Sequence, residues 1–118
     1  MIKLVTRGGL LLFAFLATIG VRAATFSGEL VDTYCYARSR IAGAGHAACA
    51  LKCAKAGVPL ALIDDKTHRV YLLLPEKDAG PLPPALVALA GKHVTVDGDV
   101  LTTIGTTFLT VKSFATTR

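Results

Sequence analysis

LALIDDKTHRVYLLL, Leu60 to Leu74, sets two runs, Leu60 to Ile63 and Arg69 to Leu74, on either side of the polar set Asp64-Asp65-Lys66-Thr67-His68. Leucine, isoleucine, valine and tyrosine in runs this short favour strands, and Asp, Lys and Thr between them favour a turn, so the stretch predicts a β-hairpin. Downstream, residues 75–84 hold four of the five prolines and read as a rigid polar connection. PALVALA, 84–90, opens on a proline suited to a first helical position and is followed by Gly91, which fits a short helix of about two turns. Residues 93–103 and 107–114, joined around Ile104-Gly105-Thr106, alternate Val and Thr as a second hairpin, with Asp97-Gly98 placed for a bulge or turn.

Upstream, TFSGELVDT at 25–33 alternates as a first strand broken by Gly28. Residues 34–45, rich in Arg, Ala and Gly, read as a loop, whereas 46–56 is built almost wholly of helix formers. Gly57-Val58-Pro59 stops that helix with a glycine suited to the cap position and a proline that cannot continue it. The resulting order is strand, insertion, strand, strand, helix, strand, strand. It predicts an all-β domain with short helices, a small five-stranded OB-fold-like barrel. A helical Cys/His insertion stands between strands 1 and 2 and a short helix between strands 3 and 4. Closure into a barrel removes the exposed edges of so many short Val/Thr strands, while an open five-stranded sheet or an SH3-like barrel fits the same periodicity.

The first residues set the compartment. MIKLVTRGGLLLFAFLATIGVRAA begins with Lys3 and Arg7, runs through 12 apolar or small residues from Leu10 to Val21, and ends in small residues. This is the layout of a secretory signal peptide over 1–23, and the run is short of the roughly 20 residues a membrane span requires. The mature chain, 24–118, is then a single domain, periplasmic or secreted, with no stable membrane span after cleavage. The full chain carries 13 Lys+Arg against 8 Asp+Glu, but Lys3, Arg7 and Arg22 leave with the signal, so the mature balance is 10 against 8, or +2. That balance and the lack of an aromatic stacking platform argue against a nucleic-acid partner. No Ser-His-Asp order, cleft carboxylate pair or phosphate-cradling glycine loop can be assembled, which favours a non-enzyme.

The sequence resembles a group of small exported bacterial proteins with an OB-like domain. In that group a strand GE-(V/L)-VD-x-x-CY is followed by H-x-x-CA-x-x-CA-x-x-G-x-P and a VYLLL strand. The corresponding elements here are GELVDTYCY at 28–36, HAACALKCAKAGVP at 46–59 and VYLLL at 70–74. The resemblance covers most of the mature chain and implies the OB-like fold and export.

The chemistry concentrates in three cysteines and one histidine. On a helix of roughly 100 degrees per residue, His46, Cys49 and Cys53 fall on a stripe about 60 degrees wide, and Cys35 lies just past the first strand. Three sulfurs and an imidazole complete a tetrahedral set for zinc, and two or three of them suffice for Cu(I). The metal reading therefore takes Cys35, His46, Cys49 and Cys53 as ligands of zinc or copper, with an envelope protein as a further partner. In an oxidising compartment, a disulfide from Cys35 to Cys49 or Cys53 would instead staple a module that binds a polysaccharide, a peptide or an envelope protein. That pairing leaves one cysteine over, whereas the metal reading uses all three. A thiol-redox accessory role, with Cys49 attacking from the first turn of its helix, is the third reading.

Several neighbours have two readings each. Asp32 suits either a hydrogen-bonded turn or a carboxylate that orients His46. Tyr34, Tyr36, Arg38 and Arg40 suit either a stacking and basic rim for a ligand or simple packing. His68 and His93 read as solvated surface residues, and Asp64 and Asp65 as turn residues.

Overall fold

The computed structural model describes residues 21–117, so the signal-peptide expectation over 1–23 falls outside the described residues except for its last three. Five strands, β1 (Arg22–Asp32), β2 (Leu60–Asp64), β3 (Val70–Leu74), β4 (His93–Thr103) and β5 (Thr106–Thr116), form a closed barrel in the order β1-β2-β3-β5-β4. The pairs β1–β2, β2–β3, β4–β5 and β1–β4 are antiparallel, and β3 pairs with β5 in parallel, Leu72 to Leu74 beside Phe108 to Thr110. This is the OB-fold-like architecture expected from the element order.

β1 does more than the alternation suggested. Its first part pairs with β4, from Arg22 beside Val100 to Glu29 beside His93, and its last part pairs with β2, from Gly28 beside Asp64 to Asp32 beside Leu60. Gly28 does not break the strand. It is the first of two residues, with Glu29, at which one strand serves two neighbours, and a Cβ there would overlap the Ile63 carbonyl oxygen. Gly98, by contrast, lies at the expected irregularity: the β4–β5 register shifts between Asp97 and Gly98, so Lys112 is bulged.

The core joins inward residues of all five strands, among them Leu30, Leu62, Leu73, Val94, Val96 and Leu109. Leu86 of α3 (Pro84–Val87) and Ala90 just after it close the core between β3 and β4. α3 is shorter than PALVALA suggested, because the chain turns after Ala88, where tight turns carry it to Gly91.

The insertion between β1 and β2 corrects the reading of residues 34–45 as a loop. α1 (Thr33–Ser39) starts there, capped by Asp32, whose Oδ1 accepts from the Cys35 N–H at 2.9 Å. It ends where Arg40 enters the left-handed region at φ 50°, its N–H bonded to the Tyr36 carbonyl. A single 3-10 turn (Ala44–His46) leads into α2 (Ala47–Lys55). α2 buries Ala50 and Ala54 in the core; alanines at this four-residue spacing let the helix approach the barrel closely. Gly57, at φ 95°, ends α2 as expected, with the Gly57 N–H on the Ala54 carbonyl and the Val58 N–H on the Cys53 carbonyl.

Candidate metal centre

Two helices of the insertion carry the thiols and the barrel fixes both. α1 is tied at its start, where the Thr33 N–H donates to the Pro59 carbonyl at 3.0 Å, next to the first residue of β2. α2 is seated by Ala50 and Ala54, and at its N-terminus Ala47 lies against Gly91, where a Cβ would collide with it. Gly91 takes φ 81°, and its N–H donates to the Leu30 carbonyl at 2.6 Å, so the contact is anchored near the end of β1.

This framework brings Cys35 from α1 together with Cys49 and Cys53 from α2, one ligand atom of each within 4.8 Å of the others. Cys35, Asp32 and His46 form a second such group, so Cys35 belongs to both. The four residues expected as ligands thus fall into two overlapping groups. His46 is the last residue of the 3-10 turn and the N-cap of α2, so the backbone presents it from a turn and not from the regular helical stripe. Its Nε2 lies 3.2 Å from Asp32 Oδ2. Asp32 is wholly buried and fulfils both of its expected roles, capping α1 through one oxygen and facing the imidazole with the other.

All three sulfurs stand as free thiols, Cys49 exposed and the other two half-buried. Burial, followed by the neighbouring Asp32 carboxylate and the Cys49 sulfur, pushes Cys35 up to about 12, and burial with the same two neighbours raises Cys53. Burial works to raise the Asp32 carboxyl as well. The hydrogen bonds from the Cys35 N–H, from His46 and from the Cys35 thiol outweigh it and hold that group below its ordinary value. The result is a pocket of three soft donors and one carboxylate in which Cys35 and Cys53 keep their protons unless a cation joins them and stabilises the thiolates. Such a group can hold a metal ion. A tetrahedral zinc site with bonds of about 2.3 Å separates its sulfurs by about 3.8 Å, so thiols already within 4.8 Å need only small rotations to close on the ion.

The flanking aromatics divide between their two readings. Tyr36 is half-buried and lines a cavity of about 440 Å³ between α1 and the barrel, with Arg69, Leu72 and Thr107 on the far side. Tyr34 is 57% exposed, and the Arg38 guanidinium lies 5.3 Å from its ring centre. His93 is not simply solvated, since its Nε2 meets Asp65 Oδ2 at 2.6 Å in an exposed pair. Asp64 acts as the turn residue expected, accepting from the Thr67 N–H and hydroxyl.

What the sequence reading missed was the helix carrying Cys35. The signal was present in Asp32 followed by TYCYARS, an N-cap residue before a short run able to form a helix. No protein-family model, curated protein or solved structure matches the chain.

Proposed function

We propose that this chain is an exported metal-binding protein that holds zinc or copper on Cys35, Cys49 and Cys53, with His46 completing the set, and serves as a carrier, buffer or sensor. The observation that carries this reading is the meeting of three thiols from two separate helices. One thiol follows the first strand and two lie beyond a turn, and the barrel fixes both helices. Thiolates are soft donors that select Cu(I) or zinc. Because Asp32 engages Nε2 of His46, the nitrogen left for an ion is Nδ1, with the carboxylate fixing the ring as buried carboxylates do beside metal-bound histidines. Binding is coupled to proton release, since the raised Cys35 and Cys53 thiols must give up protons to become ligands.

The test is the native mass of protein isolated from its own compartment without chelator, followed by thiol counting after unfolding. The expected result is one bound zinc or copper and three free thiols, with the metal lost in Cys49→Ser. A metal-free mass lower by one pair of hydrogens, with a single titratable thiol, would overturn it in favour of a disulfide-stapled module.

A further inference from the structure

The rim of the thiol cluster has a charge pattern that ion binding alone does not require. From Thr33 to Val58 the insertion holds Arg38, Arg40, Lys52 and Lys55 and no Asp or Glu, although the whole chain has 8 acidic residues. All four cations are exposed, and among the described residues none makes an ion pair. Two of them stand three positions after a cluster cysteine, Arg38 after Cys35 and Lys52 after Cys49, which on a helix makes each a surface neighbour of its thiol. The exposed surface of the insertion also presents Tyr34 at 57% and Ile41 at 44%, with Arg38 lying over the tyrosine ring. Arg and Tyr are the residue types that concentrate binding energy at protein interfaces. Cys49, the exposed member of the cluster, opens the centre onto this face.

Resting on the metal reading above, we infer that this face is the docking surface for an acidic metal-exchange protein, which reaches the ion through Cys49. Charge complementarity identifies the partner: an acidic surface carrying its own cysteine ligand would be steered onto the all-cationic insertion, Arg38, Arg40, Lys52 and Lys55, whose Lys52 is the helical neighbour of Cys49, the exposed member of the cluster. The transfer is a ligand substitution. A partner thiolate forms a bond to the ion as the bond to the Cys49 sulfur breaks; the proton released by the partner thiol passes to Cys49, and the ion keeps its oxidation state. Cys35 and Cys53, half-buried behind it, hold the ion until the second exchange.

The test uses the full mature chain loaded with Zn(II), and separately with Cu(I) under anaerobic conditions, with loading confirmed by native mass. Two synthetic acceptor peptides share one dicysteine motif, flanked in one by glutamates and in the other by lysines. The acidic peptide is expected to take the ion on the order of ten-fold faster at low salt, and the difference should vanish at high ionic strength. Arg38→Glu with Lys52→Glu, which leaves the insertion without net charge, should abolish the preference, Arg38→Gln with Lys52→Gln should weaken it, and Lys66→Glu with Lys77→Glu, the same change in net charge as the first pair but outside the insertion, should leave it intact. Equal rates for the two peptides on the loaded wild type, or a preference lost equally in the Lys66/Lys77 variant, would overturn the docking surface and leave the metal site standing. A chain that takes up neither ion would remove both.

Discussion

Asp32→Ala cuts two ties with one substitution, which makes it the sharpest probe of how the centre is built. The first tie is the cap on α1, where Oδ1 accepts from the Cys35 N–H at 2.9 Å; losing an N-cap of this kind costs about 1 kcal/mol. The second is the contact of Oδ2 with His46 Nε2 at 3.2 Å; a hydrogen bond to a charged group contributes about 1.5–3 kcal/mol. The two share one carboxylate and are not fully additive, so the expected loss is about 2–4 kcal/mol, a large part of the roughly 5–15 kcal/mol that holds a small domain together. Asp32→Asn keeps an oxygen to cap α1 but turns a donor NH2 in place of the second oxygen toward His46, so it should cost less than the alanine, about 1–2 kcal/mol. Urea unfolding followed by circular dichroism reads both as shifts of the midpoint at unchanged slope. Metal affinity, measured by chelator competition on the folded Asn variant, should fall about 10- to 100-fold, as it does when a carboxylate behind a ligand histidine is removed. The reasoning fails if Asp32→Ala unfolds at the wild-type midpoint. It also fails if Asp32→Asn and His46→Gln have strictly additive effects on metal affinity, for then the pair does not act as a unit.

Further outcomes follow from the same geometry. Asp32, Asp64 and Asp97 are each held below the ordinary carboxylate value, Asp64 by the Thr67 hydroxyl first and Asp97 by the Thr25 and Ser113 hydroxyls. Their stabilisation is therefore present above the unfolded value of about 3.9 and lost as pH falls through the lower folded values, and an acid titration should show Asp64→Asn and Asp97→Asn flattening that decline. In the metal-free chain at pH 8, iodoacetamide should modify the exposed Cys49 first and leave Cys35 and Cys53 largely protonated and slow, as mass spectrometry of timed samples would reveal. Equal rates at all three would contradict the raised thiols. Gly91→Ala forces a side chain into Ala47 at φ 81° and should destabilise by on the order of 2–4 kcal/mol, displacing α2 and weakening metal binding with it. Gly105→Ala, at φ 75° with open space around it, should show only the backbone cost of about 1 kcal/mol, and a similar loss in both variants would refute the Ala47 contact.

Sequence by itself determined the five strands and their order, while their closure into a barrel, as against an open sheet, came from the tertiary structure. The β2–β3 hairpin, the β4–β5 hairpin with its irregularity at Asp97-Gly98, and the stop of α2 at Gly57 all rest on local chemistry: alternation of period two, turn residues, and a glycine free to take positive φ. The cysteines and His46 were equally legible as a donor set, because soft ligands in a short span signal themselves by type and spacing. Only the tertiary structure decided how that set is assembled. Gly28 reads locally as a strand breaker and becomes a necessity once β1 must pair with β2 and β4 over the same residues, with no room for a Cβ against the Ile63 carbonyl. Cys35 was read on a loop because the seven-residue α1 has too little periodicity to announce itself and depends on its Asp32 cap and the tie to Pro59. Whether Asp32 faces His46, and whether Ala47 may lie on Gly91, are distances between residues many positions apart. Closure of the barrel fixes those distances, and no local pattern of residue types records them.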